Sequence, residues 1–470
     1  MKTIILIINF AALTISSLSQ HPFEGIWEGK IKAGTELRVI FTLSQKENKN
    51  LIATMDLPDN GIKGIVSSDV LINQDSLTIN VKEFQGSFSG KLVNPTTITG
   101  SWKQGISTAL QLSKVEKVEV IKKPQTPVPP FSYKSEDVIY TSSSGTIQYG
   151  ATITLPFGEG PFPGIVLITG SGQQNRDEEL SGHKPFAVIA DYLTKNGFAV
   201  LRVDDRGVGQ TTGNVTESTT LDFADDINTA LDFLTSKKEI DKKRLCLIGH
   251  SEGGMIASIL GAKRKDISAI VLLAAPGESG SEILIQQNRA SLLAVGLPEE
   301  SVNSYIDLYS SILDDTEIFD DKDAVREKIA QQVDKWLKKT PAKIIAATTG
   351  IINDEKKEEY IDAMARALNT LWLRYFIKFQ PAEFLQQLSC NVFALNGSKD
   401  VQILSHTNLN AIEIALKKSK SKMYKIQEYE GLNHQFQQCN SCSVQEYGAL
   451  QETISIDVLK DIVIWLKTAM

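Results

Sequence analysis

The stretch Leu245-Cys246-Leu247-Ile248-Gly249-His250-Ser251-Glu252-Gly253-Gly254 decides the predicted fold of this chain. An apolar run leads into a G-x-S-x-G pattern, and a segment of small residues continues to Gly261. We expect a buried strand, a sharp turn that exposes Ser251, and a helix. Glycines suit such a turn because neighbouring Cβ atoms would collide there. An ordinary strand–helix turn, with Ser251 as a helix cap, is the alternative interpretation.

The chain on both sides of this stretch alternates between apolar runs of strand length and amphipathic segments. The predicted strands are Gly164–Thr169, Ala199–Val203, Leu245–Gly249, Ile267–Ala275, Val392–Asn396 and Met423–Tyr429. The predicted helices are Pro185–Asn196, Leu221–Ser236, Gly253–Gly261, Thr407–Lys417 and Ile456–Lys467. This alternation predicts an α/β domain over 135–470, in which helices cover both faces of a mostly parallel sheet. Residues 278–387 have a helical period and no convincing strand, so we expect an inserted helical cap.

A Ser hydroxyl is a poor nucleophile unless a base removes its proton. Among the five His of the chain, His434 follows the last predicted strand, where the chain order Ser, acid, His places the base. Asp400 ends the turn after the preceding strand and would accept the other imidazole N–H. Asp204 or Asp205 is the fallback acid, although the adjacent Arg206 favours a salt bridge for both.

Two other His residues are close enough in the predicted fold to need an interpretation. His250 adjoins Ser251, but its side chain should point away from the hydroxyl, so we expect a structural role. His183 lies in a loop before a helix, and we expect it to line the entrance of the substrate site.

Negative charge that develops on a substrate oxygen requires waiting backbone donors. One predicted donor is the N–H of Glu252, directly after the nucleophile. The other should come from the glycine-rich loop Gly170–Asp177, with Ser171 first and Gly172 second. A phosphate-binding loop is the alternative, but neither a Walker lysine pattern nor G-x-G-x-x-G is present.

These residues together resemble the α/β-hydrolase superfamily over 136–470, and in particular secreted bacterial serine esterases related to the serine aminopeptidase and monoacylglycerol-lipase-like group. The matching stretches are Thr169–Asp177, Asp204–Gly209, Gly249–Gly254, Trp372–Phe376, Leu395–Asp400 and Gly431–His434. The resemblance implies carboxylic ester hydrolysis by Ser251, Asp400 and His434 without metal or cofactor. We also expect Trp372 and Tyr375 to contact substrate. Thr169-Gly170 replaces the usual His-Gly before the oxyanion loop.

The N-terminal part of the chain has a different organisation. Residues 1–19 have the pattern of a signal peptide, so we expect a soluble protein exported to the periplasm or outside the cell. Residues 20–120 contain short alternating runs and an early Gly25-Ile26-Trp27, which resembles small lipocalin-like β domains. We expect this domain to pack or contact a partner, and its ligand is unknown. The Pro-rich segment 121–134 predicts a stiff linker.

Composition and charge narrow the classes of function. The 470 residues carry 49 Lys+Arg against 56 Asp+Glu, a net charge of −7, which argues against a nucleic-acid partner. Of the four Cys, Cys439 and Cys442 could form a local disulfide. We therefore predict a serine carboxylesterase for small, short-chain or acetyl esters. A peptidase or acyltransferase with the same triad and a non-enzymatic binding protein are the alternatives.

Overall fold

A computed structural model describes residues 21–33, 35–46, 50–58, 62–104, 106–119, 121–316 and 322–470. The chain forms two compact units, and the boundary between them falls after Glu119. The predicted signal peptide, 1–19, lies outside the described residues. No helix in the described ranges combines the length and the apolar character that a membrane span requires.

The first unit is an antiparallel sheet in the strand order β4-β3-β2-β1-β9-β8-β7-β6-β5. Its strands are β1 (Gly25–Ala33), β2 (Thr35–Gln45), β3 (Leu51–Leu57), β4 (Ile62–Val66), β5 (Asp69–Asn73), β6 (Ser76–Val81), β7 (Gly86–Asn94), β8 (Thr97–Gln104) and β9 (Ile106–Val115). Residues in β3 alternate between buried and half-buried, which places one face of this strand in a core around Trp27, Phe41 and Phe88. The Trp27 indole N–H donates to the Phe23 carbonyl over 2.7 Å.

The second unit is built on a sheet in the order β10-β11-β13-β12-β14-β15-β16-β17. Its strands are β10 (Lys134–Thr141), β11 (Gln148–Leu155), β12 (Phe162–Ile168), β13 (Ala199–Val203), β14 (Ile240–His250), β15 (Ile267–Leu273), β16 (Asn391–Gly397) and β17 (Tyr424–Tyr429). From β13 to β17 all neighbours are parallel, whereas β10 and β11 join at one edge as antiparallel strands. The carboxyl ends of the parallel strands therefore converge on one edge of the sheet.

Helices cover both faces of this sheet because its strands are apolar on both sides. In β14, Leu245 and Leu247 face a core shared with α2, α3, α10 and α11, whereas Cys246 and Ile248 face a core shared with α1 and α12. These helices are α1 (Pro185–Lys195), α2 (Thr220–Ser236), α3 (Glu252–Lys263), α10 (Pro381–Leu385), α11 (Ser405–Leu416) and α12 (Ile456–Ala469). The predicted α/β class with a preceding all-β domain is confirmed.

The segment between β15 and β16 contains helices joined by loops and no strand among its described residues. It contains α4 (Gly280–Ala294), α5 (Glu299–Thr316), α6 (Lys322–Leu337), α7 (Ala342–Thr349), α8 (Asp354–Leu368) and α9 (Leu371–Lys378). Leu308, Ile329, Trp336 and Ile361 are buried in a core of its own. The predicted cap region, 278–387, thus spans α4–α10, and its α9 packs against α2.

The predicted linker segment 121–134 is bound along the second unit. The Lys123 ammonium donates to the carbonyls of Gly448 and Leu450, and the Gln125 amide bonds the backbone of Thr453 and Ile454. The Tyr133 hydroxyl donates to Asp191 over 3.0 Å. These contacts make the Pro-rich segment part of the second unit.

Truncation of a central side chain tests this account of the core. We expect Leu247→Ala to lower the free energy of unfolding by about 2–5 kcal/mol, because it leaves a cavity in a fully buried strand. Ile464→Ala, at a side chain that is 65% exposed, is the matched control and should change it by less than about 0.5 kcal/mol. Urea denaturation measures both, and equal effects would contradict the assignment of this strand to the core.

Candidate active site

Ser251 occupies a strained turn between β14, which ends at His250, and α3, which begins at Glu252. Its φ of 52° and ψ of −119° lie outside the usual region for a residue with a side chain. The turn also needs glycines, since a Cβ on Gly249 would lie 2.1 Å from the Gly253 carbonyl oxygen. A Cβ on Gly253 would lie 2.2 Å from the Ile168 carbonyl oxygen. The G-x-S-x-G pattern therefore has a steric cause in this structure.

His434 and Asp400 lie in the loops that follow β17 and β16, the last two strands of the sheet. His434 Nδ1 is 2.7 Å from Asp400 Oδ2. Asp400 Oδ1 accepts the backbone N–H groups of Gln402 (2.7 Å) and Ile403 (2.9 Å), so both carboxylate oxygens are engaged in a buried position. An ionised Asp400 fixes the proton on Nδ1 and leaves Nε2 free to accept another.

Ser251 and His434 line the same cleft, which has a volume of about 470 Å³. The cleft is also bordered by the loop after β12, by Trp372 of α9 and by Tyr447. We call it the Ser251 cleft. The structure thus brings together a strained serine, an imidazole with a fixed tautomer and a backbone loop, which are the parts that acyl transfer requires.

The loop Gly170–Asp177, here called the oxyanion loop, contains Ser171 and Gly172, the candidates for the second predicted donor. The Gly170 N–H is already used, because it donates to Glu178 Oε1 over 2.9 Å. Within the described ranges, the N–H groups of Ser171 and Glu252 donate to no protein acceptor, and both residues adjoin Ser251 or line its cleft. Gly172 has a φ of 99°, which a residue with a side chain rarely adopts.

Asp204 and Asp205, the fallback acids, accept hydrogen bonds from backbone N–H groups of the oxyanion loop. Asp204 accepts the Arg176 backbone N–H (2.9 Å) and pairs with the Arg176 guanidinium (2.7 Å). Asp205 accepts the Thr169 hydroxyl (2.7 Å) and the Gln174 N–H (2.9 Å). Burial raises the pKa of Asp205 to about 7. The expected pairing with Arg206 is corrected by the structure, since the Arg206 guanidinium binds Asp226 instead.

The Glu252 side chain also forms buried hydrogen bonds, which the sequence did not predict. Its carboxylate is 2% exposed and accepts the Thr220 hydroxyl (2.7 Å) and the Trp372 indole N–H (2.8 Å). Burial raises the pKa of this carboxyl. Trp372 borders the Ser251 cleft, and this hydrogen bond holds its indole ring against Glu252, the residue after Ser251.

Two residues predicted to contact substrate lie elsewhere. His183 is buried, its Nδ1 lies 2.8 Å from the Thr453 hydroxyl, and its Nε2 lies 2.9 Å from the Tyr447 carbonyl oxygen. Tyr375 is half-buried on α9 and its ring packs against Phe379. Neither is among the described residues that line the Ser251 cleft, whereas Trp372 is. Both predictions were wrong because the position of a residue in a loop or helix does not by itself determine the direction of its side chain.

Cys439 and Cys442 form a disulfide, as their spacing suggested, near the end of the loop that carries His434. Among the residues that the structure describes, no group of three or more His, Cys, Asp or Glu is arranged to hold a metal ion.

Part of the second unit is similar in sequence to known proteins. Residues 183–357 match the family described as serine aminopeptidase, S33. Esterase EstD of Thermotoga maritima is 30% identical over 179 residues, 37% of this chain and 41% of EstD. The uncharacterized protein YfhR of Escherichia coli K12 is 28% identical over 145 residues, 30% of this chain and 48% of YfhR. The chain therefore spans less than half the length of these relatives.

A solved structure of the Pyrococcus furiosus esterase Pf2001 superposes with a TM-score of 0.42 and 14% identity, over 75% of this chain and 99% of that one. The strand order and the family match over 183–357 give the second unit the α/β-hydrolase fold. Its sequence similarity to EstD relates it to esterases.

The buried position of His183 predicts a pH dependence of stability. Burial, and then the nearby Lys123 ammonium, lower the pKa of His183 to about 4. The folded protein therefore keeps it neutral, while the unfolded chain takes up a proton below pH of about 6.5, so the free energy of unfolding should fall as pH decreases from 6.5 towards 4. In urea denaturation across this range, His183→Gln should reduce the slope and His406→Gln, at an exposed position, should not. An unchanged slope in His183→Gln would contradict this role.

Proposed function

We propose that this chain is a serine carboxylesterase that hydrolyses small esters through an acyl-enzyme on Ser251. The observation that carries the proposal is the convergence of Ser251, in its strained turn, and His434, bonded to a buried Asp400, on one cleft. The similarity to EstD, which is named an esterase, supports the same reaction class.

The proposed reaction has two acyl-transfer steps. Ser251 Oγ attacks the ester carbonyl carbon while His434 Nε2 takes the hydroxyl proton, and Asp400 stabilises the imidazolium that forms. The N–H groups of Ser171 and Glu252 donate to the developing oxyanion. The C–O bond to the alcohol then breaks, and His434 returns the proton to the leaving oxygen. Water, deprotonated by His434, then attacks the acyl-enzyme carbonyl. The bond from the acyl carbon to Ser251 Oγ breaks, and His434 returns the proton to Ser251 Oγ as the acid leaves.

The same triad could cleave peptides, and the family description names an aminopeptidase. An aminopeptidase needs a fixed carboxylate to bind the substrate amine. Among the described residues that line the Ser251 cleft, Glu179 is the one carboxylate, and the Lys184 ammonium lies 3.4 Å from it. The Lys184 ammonium partly neutralises the Glu179 carboxylate, which weakens its attraction for the charged amine of an aminopeptidase substrate. An uncharged ester is therefore the favoured substrate.

The proposal includes an exported location. Disulfides persist in oxidising compartments, so the Cys439–Cys442 bond supports the periplasm or the extracellular space.

Replacement of the nucleophile and base tests the reaction. Ser251→Ala and His434→Ala should each lower kcat on p-nitrophenyl acetate by at least about 10⁴-fold, because the two residues act as a unit. His406→Ala, at an exposed position on α11, should keep wild-type activity. Steady-state kinetics and burst acylation measure these effects; ester turnover that survives in Ser251→Ala would falsify the mechanism. Preference for aminoacyl anilides over esters would instead favour the peptidase.

Trp372 sets the predicted acyl-length limit. It borders both the Ser251 cleft and an adjoining apolar pocket of about 490 Å³ lined by Val215 and Phe223. Trp372→Ala should join the two spaces and raise the octanoate-to-acetate ratio of kcat/KM by about tenfold or more, since buried CH₂ groups each contribute about 0.8 kcal/mol. Tyr375→Phe, on the same helix but outside the cleft lining, should leave the ratio unchanged. A ratio that stays constant in Trp372→Ala would assign the limit to another residue.

A further inference from the structure

A buried carboxylate–imidazole pair lies beside Ser251 and has no part in the proposed proton transfers. Glu178 is 2% exposed and His250 is 5% exposed, and Glu178 Oε1 lies 2.9 Å from His250 Nδ1. Removing two such groups from water is costly unless their hydrogen bonds are satisfied. The hydrogen-bond partners of Glu178 and His250 therefore indicate which parts of the site this pair stabilises.

The pair bridges two loops that approach Ser251 from different strands. Glu178 Oε1 also accepts the Gly170 N–H (2.9 Å), at the start of the oxyanion loop. His250 Nε2 lies 3.1 Å from the backbone carbonyl oxygen of His434. One continuous chain of hydrogen bonds thus runs from the oxyanion loop, through Glu178 and His250, to the backbone of the proposed base.

The partners decide the protonation of His250. A carbonyl oxygen only accepts, so His250 Nε2 must carry a hydrogen. Glu178 Oε1 therefore faces two N–H positions, that of Gly170 and Nδ1 of His250, and an ionised carboxylate can accept from both. Although burial by itself lowers the pKa of His250, the Glu178 carboxylate, the His434 carbonyl and the Asp400 charge together outweigh it, and the net shift is upward.

The local backbone is fitted closely to this arrangement. Glu178 has a φ of 52°, in the left-handed region that residues other than glycine rarely adopt. A Cβ on Gly170 would lie 3.3 Å from Ser251 Cβ and 3.5 Å from Glu178 Oε1. The His250 and His434 rings are 4.6 Å apart between centroids. Glu178 is therefore bonded directly to the oxyanion loop and, through His250, to the backbone of the proposed base.

We propose that Glu178 and His250 are positioning residues. They hold the oxyanion loop and the loop after β17, which carries His434, at fixed positions relative to Ser251. This inference rests on the proposed esterase function. The pair acts on the geometry in which the oxyanion forms and the proton moves, not on ground-state binding of the ester. Its loss should therefore lower kcat and leave KM nearly unchanged.

The experiment compares Glu178→Ala and Glu178→Gln with Asp226→Asn in the full-length protein. Asp226 is a matched control because it is also a buried carboxylate in an ion pair, with Arg206. Among the described residues, its side-chain hydrogen bonds join Tyr149 and Arg206, which belong to neither loop. Kinetics on p-nitrophenyl acetate give kcat and KM, the rate of fluorophosphonate labelling reports Ser251 directly, and thermal denaturation reports folding.

We expect Glu178→Ala to lower kcat and the labelling rate by about 100-fold, the scale of a misplacement near 1 Å, with KM within about threefold of wild type. Glu178→Gln keeps an acceptor for the Gly170 N–H but loses the charge, so its kcat should fall by about tenfold, less than that of the alanine variant. Asp226→Asn should lower the melting temperature but keep kcat within about twofold.

Wild-type kcat in both Glu178 variants, or a rise in KM with unchanged kcat, would overturn the proposal. If Glu178→Ala does not fold, Glu178→Gln decides alone: a tenfold loss supports the proposal and wild-type kcat overturns it. Ser251→Ala is measured in parallel. If that variant keeps activity, the esterase proposal fails; if it is inactive while both Glu178 variants are normal, only the positioning role fails.

Discussion

Close backbone packing around Ser251 is the constraint on which the rest of the site depends. The chain passes from a central strand into a helix within one residue, and the neighbouring strand lies against the same turn. Carbonyl oxygens of Ile168 and Gly253 occupy the positions where side chains on Gly253 and Gly249 would project. Only glycines fit, and Ser251 is therefore held in a backbone conformation that presents its hydroxyl to the cleft.

Buried and half-buried carboxylates bind the backbone and side chains around this turn. Asp204, Asp205 and Glu252 each accept at least two hydrogen bonds, from Thr169 and the oxyanion loop that follows it, from α2 or from α9. A glycine-rich loop has little packing of its own, so its conformation must be imposed by partners around it. Full satisfaction of the carboxylates offsets the cost of burying them. Polar groups thus support one side of the Ser251 cleft, and the aromatic ring of Trp372 forms an apolar part of its lining.

Local patterns made the fold and the triad candidates predictable. Apolar runs of strand length and amphipathic segments follow the periods of strands and helices, which depend only on neighbouring residues. Asp400 and His434 could be placed near one another because the carboxyl ends of parallel strands converge, although 34 residues separate them. The same reasoning misplaced His183 and Tyr375, since it identifies the element on which a residue lies and not the direction of its side chain.

The sequence by itself determined the α/β alternation, the glycine-flanked serine and the order of the candidate triad, because these depend on short spacing and chain order. Only the tertiary structure decided which carboxylates hold which backbone groups. Glu178 is 72 residues from His250, and Glu252 is 120 residues from Trp372. Such pairs leave no local pattern, because a buried charge is satisfied by whatever donor the folded chain brings within hydrogen-bond distance.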